Sequence, residues 1–380
     1  PLNFSESGWW GRILSEMKAL ITIFIGLLVV GCESTKIDDP YDVYFKAKPI
    51  EWMIRIKLRK PTGVITKEDF DKVRDLKLQS WDSTDRQGLK SNIDTNILAS
   101  LTHVEKLHIY SRYLKSLQSI APLTRLKKLS TGVGQISDIR ALSKLTKLEE
   151  LSISGNRIQD VSSLKELNEL KEAYLADNQI SDVSALTNLK QLRGLKLERN
   201  QIKDVTGLAG LSQLNRLGLE GNQISNLSPL SKLTKLPRLN LDKNQIEDVT
   251  PLKEMKQLSI LGLQYNKISN IDALGRLDKL QGLWVSNNQI HDVSALSKLT
   301  QLVELHLSNN QISDVSALKG LENLRHLYLG NNRIKDVRAL SGLKNLKALA
   351  LENNPDLTKS QIKELQKALP NCTIRRYLRK

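Results

Sequence analysis

The sequence predicts an α/β solenoid, in which short copies of one structural unit stack on one another. An Asn recurs every 22 residues between Asn156 and Asn354, and apolar residues hold fixed offsets around each Asn. Aromatic residues make up only 4% of the 380 residues, while hydrophobic residues make up 40%. Leu, Ile and Val must therefore supply nearly all of the core, and the fixed period indicates a repeat architecture.

One repeat is represented by the segment around Asn310. Apolar side chains precede and follow this Asn at the positions Leu302, Leu305, Leu307, Ile312, Val315, Leu318 and Leu321. Leu305 and Leu307 are two residues apart, so both point inward from a short strand. A single 22-residue copy buries too little surface to fold alone and needs neighbours. Stacking therefore gives a parallel sheet, and the short return segment 314–321 is expected to form turns or 3₁₀ pieces.

The pattern Leu-x-x-Leu-x-Leu-x-x-Asn-x-Ile resembles the leucine-rich repeat. With its Asp-Val-Ser-Ala-Leu returns and the segment 49–78, the chain is similar to bacterial internalin-like proteins over residues 49–380. The resemblance implies a right-handed superhelix with the parallel sheet on its concave face, turns on its convex face and helical caps at both ends. It also implies a protein that binds a protein partner or another surface ligand and has no catalytic activity.

Both ends of the solenoid are expected to carry caps. In the N-terminal cap, 49–80, Ile50 to Leu58 predicts a helix, Thr66 to Asp69 a capping box, and Leu76 to Leu78 a strand. Trp81 takes the Asn register position and residues 82–100 carry an insertion, within a repeat region of about 12 turns over residues 81–357. The C-terminal cap, 358–380, contains a helix from Thr358 to Leu369 and a final strand beginning at Cys372, whose thiol is expected to be packed.

The first 48 residues predict export. Met17 is the natural start, so residues 1–16 are interpreted as an upstream segment outside the mature protein. Residues 17–31 have a cation followed by an apolar stretch too short to span a bilayer, which is typical of a signal peptide. The end of this stretch resembles a bacterial lipobox, which implies lipidation of Cys32, a tether over residues 33–48 and a lipid-anchored location in the bacterial cell envelope. A plain signal peptide or an uncleaved anchor is the alternative.

Two sets of polar residues recur at fixed positions in successive repeats, and we call each set a ladder. They suggest metal binding, but structural roles explain them better. The repeated Asn is expected to bond the backbone of its own and neighbouring turns. A second ladder lies four residues later, at Asp138, Asp160, Asp182, Asp204, Asn226, Asp248, Asn270, Asp292, Asp314 and Asp336. Calcium needs six or more oxygens for each ion, and one carboxylate per turn is too few. We expect these residues to cap backbone N–H groups of the turns.

The candidate ligand-binding residues are aromatic. Trp284, His306 and Tyr328 occupy the central outward strand position of adjacent repeats, and Tyr265 and His326 flank them. Exposed Trp and Tyr are favoured anchors of binding surfaces, so these five residues are predicted to contact a ligand. The alternative is that the rings only stack on each other along a pleated surface.

The rest of the composition limits the classes of function that the sequence can have. Two Cys and five His leave little for a disulfide framework, a metal site or acid–base catalysis, and no catalytic motif is present, so neither an enzyme nor a cofactor is expected. The formal charge of +16 reflects lysines on the return segments, which either solvate the surface or attract anionic glycan or lipid headgroups. Export argues against nucleic acid, and a monomer is expected. The alternatives to an exported binding protein are an intracellular scaffold of the phosphatase-regulatory type and a structural envelope spacer.

Overall fold

The computed structural model describes residues 49–79, 96–110, 112 and 114–376. The predicted signal peptide, the lipidation site Cys32, the tether and Trp81 lie outside the described residues. The chain divides between Asn156 and Arg157 into two compact units. Within the described ranges, no helix is long and apolar enough to cross a membrane.

The first unit opens with the predicted cap. Its elements are α1 (Pro49–Leu58), α2 (Lys67–Phe70), β1 (Asp75–Gln79), β2 (Lys106–Tyr110), β3 (Lys128–Thr131) and β4 (Glu150–Ser152). The capping box is confirmed, since Thr66 Oγ1 accepts from Asp69 N at 3.3 Å and Thr66 N donates to Asp69 Oδ2 at 3.1 Å. The strands pair in parallel in chain order, and Leu76 lies opposite Leu107. This offset of 31 residues is the one expected from the inserted segment.

The second unit consists of regular repeats. Its strands are β5 (Glu172–Tyr174), β6 (Gly194–Lys196), β7 (Arg216–Gly218), β8 (Arg238–Asn240), β9 (Ile260–Gly262), β10 (Gly282–Trp284), β11 (Glu304–His306), β12 (His326–Tyr328), β13 (Ala348–Ala350) and β14 (Thr373–Arg375). Consecutive strands pair in parallel, and a 3₁₀ turn of three or five residues follows each strand from β5 to β12. The predicted leucine-rich repeat fold is confirmed, with a parallel sheet on one face and 3₁₀ turns on the return.

The apolar positions of each repeat form the core. Leu302, Leu305, Leu307, Ile312 and Leu318 are all 0% exposed, as the alternation and spacing predict. Each full side chain of this size contributes about 1.5–3 kcal/mol on burial. Because each repeat covers the apolar face of the next, the burial is shared along the stack and depends on neighbouring repeats.

The Asn ladder connects successive turns. Asn222 Nδ2 donates to the carbonyl oxygens of Leu197 in the previous repeat, at 2.9 Å, and of Leu219 in its own, at 3.1 Å. Its Oδ1 accepts from Ile202 N at 3.1 Å, and only 7% of the residue is exposed. The same bonds recur at the ladder positions from Asn200 to Asn354, for example at Asn244, Asn310 and Asn332. The predicted structural role of the ladder is confirmed.

The Asp ladder caps the 3₁₀ turns. Asp204 Oδ1 accepts from Thr206 N at 2.8 Å and from Thr206 Oγ1 at 2.6 Å, just before the turn Thr206–Leu208. These hydrogen bonds from the Thr206 side chain and backbone hold the pKa of the Asp204 carboxyl below its ordinary value. Asn226 and Asp314 accept from the backbone N–H two residues later in the same way. The capping prediction is therefore confirmed, and no group of three potential metal-binding side chains lies together in the described part of the chain.

The C-terminal cap closes the second unit. The helix α3 (Lys359–Ala368) begins after Thr358, whose side chain accepts from Gln361 N as in the predicted helix start. The strand β14 pairs with β13 and so adds a last strand to this end of the sheet. Cys372 is buried, with 5% of its surface exposed, and burial raises the pKa of its thiol. The expectation that this thiol is packed is confirmed.

Candidate binding surface

Three predicted residues form a row of rings on the outward face of the sheet. Trp284, His306 and Tyr328 end strands β10, β11 and β12 and are register partners across the sheet. The Trp284 and His306 ring centroids are 6.0 Å apart in an edge-on arrangement, and those of His306 and Tyr328 are 4.3 Å apart. All three side chains are half-buried. We call these residues the aromatic stripe; its predicted adjacency is confirmed, while its role in binding stays a prediction.

The stripe leaves one polar group without a partner. Trp284 Nε1 is buried and has no hydrogen-bond acceptor among the described residues. A buried donor of this kind loses its hydration without compensation, at a cost of about 1–3 kcal/mol. Ring stacking with His306 supplies no acceptor for this donor.

The carboxylate of Glu304 lies near the two predicted residues His306 and His326. His306 and Glu304 share a hydrogen bond of 2.7 Å between Nε2 and Oε1 within β11. Glu304 is also the register partner of His326 in β12. The sheet therefore places His306 and His326 in positions next to Glu304, one along the same strand and one on the adjacent strand.

Tyr265 stands next to the stripe in a backbone conformation that is unfavourable for its side chain. Its φ is +54°, in the left-handed region, and 55% of the residue is exposed. The equivalent position has positive φ in every repeat from Gly155 to Asn353; it is Arg199 and Lys243 in two earlier repeats and Asn in the four repeats after Tyr265. Asn tolerates this region well, whereas a bulky residue there is strained. A residue kept exposed at an energetic cost is a candidate for a role in binding.

The Tyr265→Asn variant is expected to raise the free energy of unfolding by roughly 0.5–1 kcal/mol, because Asn adopts the left-handed conformation more readily. Urea unfolding followed by circular dichroism measures this change. The matched reverse variant is Asn309→Tyr, which places the same side chain at the same register position and should lower stability by a similar amount. Equal stability of all three proteins would contradict the assignment of strain.

The outward face of β9 to β13 differs from that of β6 to β8 in its content of Lys and Arg. We define the outward positions as the residues six, four and two before each ladder Asn. Strands β6, β7 and β8 each carry one cation there, namely Lys196, Arg216 and Arg238. The outward positions of β9 to β13 carry no Lys or Arg at all, although the whole chain has a net charge of +16. Lys is depleted and Trp and Tyr are enriched in interface cores, so the β10 to β12 part of this surface shares these two features with a contact region.

Two residues beside the stripe escaped the sequence analysis. Gly262 is the register partner of Trp284, and Asp242 lies in the adjacent repeat with 8% of its surface exposed. A Cβ atom at Gly262 would come within 2.8 Å of Asp242 Oδ1 and of Asn240 Oδ1. Asp is uncommon in strands, and a strand Gly often marks the close approach of another group. Both residues are visible in the sequence, but a search for aromatic residues alone does not detect them.

The ladder, the parallel strands and the 3₁₀ returns define a leucine-rich repeat protein. Family models described as leucine-rich repeats match residues 144–162, 168–210, 256–297, 278–320 and 300–355. No curated protein sequence matches the chain.

Solved structures define the family more closely. The chain is 31% identical to an internalin, InlF from Listeria monocytogenes, over 88% of this chain and 90% of that one, with a TM-score of 0.70. The chain therefore belongs to the internalin-like family of leucine-rich repeat proteins.

More distant structures share the fold alone. One is a leucine-rich repeat protein of Leptospira interrogans, 21% identical over 81% of this chain and 97% of that one, with a TM-score of 0.56. Another is the plant peptide hormone receptor RGFR1 in complex with RGF2, 22% identical over 67% of this chain and 49% of that one, with a TM-score of 0.52.

Proposed function

We propose that this protein is a non-catalytic binding protein that holds a protein partner on the outward sheet face of strands β9 to β12. The observation that carries the proposal is the aromatic stripe, a row of half-buried rings on a surface without Lys or Arg. Trp and Tyr are the residues most enriched at the energetic centres of protein interfaces. The exposed Tyr265, held at positive φ, and the unpartnered Trp284 Nε1 support the same surface.

The absence of catalysis is part of the proposal. The titratable groups of the surface include the Glu304–His306 pair and His326, and among the described residues no hydrogen bond joins either His to a Ser, Thr or Cys side chain. The flat sheet face offers little exclusion of water, which makes tuning of acid–base groups difficult. Membership of a repeat family whose members serve as scaffolds supports this view.

Export and lipid attachment also belong to the proposal. They are supported by the signal-like segment 17–31 and by Cys32 at its end. The protein would then present its sheet face to partners at the bacterial cell envelope, anchored through the lipid on Cys32. Anionic glycans or lipid headgroups are a secondary possibility for the lysine-rich return segments.

Site-specific photo-crosslinking in native cells tests the proposal. A photoreactive phenylalanine derivative replaces Tyr265 in the full chain, and the matched control places it at Lys298, which is equally exposed but lies on the return turn Ser294–Lys298. We expect one dominant crosslinked protein from position 265, none from position 298, and recovery of the crosslinked protein in the membrane fraction. Equal crosslinking from both positions would overturn the sheet face as the contact, and recovery in the soluble cytoplasmic fraction would overturn export.

A further inference from the structure

The carboxylate of Asp242 is unusual because it is buried without a cation. It lies on the outward sheet face, yet 8% of the residue is exposed. Asp242 Oδ1 accepts from Gln264 N at 2.7 Å, and Oδ2 accepts from Gln264 Nε2 at 3.1 Å. Both donors are neutral. No ion pair to Asp242 occurs among the described residues, and the neighbouring Lys243 instead pairs with Glu220 at 2.9 Å.

The repeat does not require a carboxylate at this position. The three following repeats carry Gln264, Ser286 and Ser308 at the equivalent outward position and keep the same strand geometry. Burial raises the pKa of the Asp242 carboxyl above its ordinary value, so its charged form is disfavoured in the folded protein. Buried charges in proteins are normally paired, and an unpaired one calls for a partner from outside.

The side chains of Asp242 and Asn240 lie over the bare backbone of the neighbouring strand at Gly262. Asp242 Oδ1 and Asn240 Oδ1 both lie 2.8 Å from the point where a Cβ of Gly262 would stand, so two acceptor oxygens converge over bare backbone. Each oxygen accepts one backbone N–H, from Gln264 and Asp242 respectively, and each retains a second lone pair. On the other side of Gly262, the register partner is Trp284.

We propose that Asp242, Asn240 and Trp284 form a subsite over Gly262 for an arginine side chain of the protein partner. The proposal rests on the proposed function, since it names a group that the partner presents to the same sheet face. A guanidinium group carries several donors in one plane and stacks on aromatic rings, so it can bond both oxygens and pack against the indole together. A lysine ammonium is a single point charge and satisfies only one of these contacts well.

A pair of tripeptides tests the chemistry of the subsite. The probes are acetyl-Gly-Arg-Gly-amide and its citrulline analogue, which has the same shape and no charge. They are titrated into the full chain while the amide signals of Gly262 and Gln264 and the indole signal of Trp284 are followed by NMR. We expect saturable shifts with the arginine peptide at roughly millimolar concentration, and binding about tenfold weaker for the citrulline peptide.

Two variants separate recognition from folding. Asp242→Asn removes the charge and is expected to weaken arginine-peptide binding about tenfold without lowering the melting temperature, because Gln264 can turn its amide to suit the new partner. Gly262→Ala keeps the charge but places a Cβ against Asp242 Oδ1 and Asn240 Oδ1, which must then shift, and should weaken binding as well. The control is Glu169→Gln, which removes an exposed carboxylate on a return segment and should bind the peptide like the unaltered protein.

Three results would overturn the proposal: equal affinity for both peptides, unchanged affinity in Asp242→Asn, or no shift of these signals at tens of millimolar peptide. None of them bears on the contact surface itself, which the crosslinking at Tyr265 tests independently. Conversely, crosslinking from both positions would remove the sheet face as the partner's site even where the tripeptide binds.

Discussion

Replacement of Asn222 by Ala is expected to lower the free energy of unfolding by about 3 kcal/mol, the largest stability effect of a single polar substitution in this chain. The variant loses two donors and one acceptor at a residue that is 7% exposed. Ile202 N and the carbonyl oxygen of Leu197 then lose the partner that joins their turn to the next. Each buried backbone group left unpaired costs about 1–3 kcal/mol.

The matched control for this prediction lies in the same repeat. Asn226→Ala removes a capping bond, from Ser228 N to Asn226 Oδ1, at an exposed position. It should cost only about 1 kcal/mol, as caps typically do. Urea unfolding followed by circular dichroism gives both values, and hydrogen exchange at Ile202 reports the local loss. Similar costs for the two variants would contradict the argument that burial, and not residue type, gives the ladder its importance.

The fold was predictable because the same pattern of apolar residues and Asn recurs in every repeat. Each copy places two apolar residues two positions apart before an Asn, so the strand, the inward face and the register are each specified in every turn. The observed pairing of Leu283 with Leu305 and of Leu305 with Leu327 follows from the period alone. The caps were predictable for a local reason, since a capping box at Thr66 and a helix start at Thr358 depend on neighbouring residues only.

The candidate surface was only partly predictable. The adjacency of Trp284, His306 and Tyr328 follows from the period, because register partners are one repeat apart. Side-chain directions do not follow from it, so the contact between His306 and Glu304 and the burial of Trp284 Nε1 required the structure. The positive φ of Tyr265 is shared with four Asn positions, and a comparison of that column could have revealed it.

Asp242 illustrates a different limit of sequence reasoning. An Asp at an outward position just after a strand would normally be solvated, and its sequence position suggests exposure. It is buried because its own side chain folds down beside Gly262 and accepts two hydrogen bonds from Gln264. That arrangement depends on the side-chain conformations of two adjacent repeats, which periodicity does not specify.

The double variant Trp284→Ala, Tyr328→Ala is expected to weaken binding of the partner identified by crosslinking at Tyr265 by at least about 100-fold. Both rings stand at the ends of the aromatic stripe, on either side of His306. Their removal deletes the apolar anchors of the surface while leaving the inward Leu residues of β10 to β12 in place. Each lost ring contact is worth about 0.5–1.5 kcal/mol, so the melting temperature should fall by only a few degrees.

Tyr174→Ala provides the matched control for the stripe. Tyr174 occupies the same outward register position in β5 and is also half-buried, but it packs under Lys196, whose Nζ lies 5.4 Å from its ring centroid. It also lies in β5, outside the β9 to β13 region whose outward positions lack Lys and Arg. Its removal should leave partner affinity within about twofold of the unaltered protein, as energetically neutral surface contacts do. If Tyr174→Ala weakened binding as much as the double variant, the binding energy would be spread over the whole sheet face and not concentrated at the aromatic stripe. If neither variant changed affinity, the rings would serve only to pack the pleated surface.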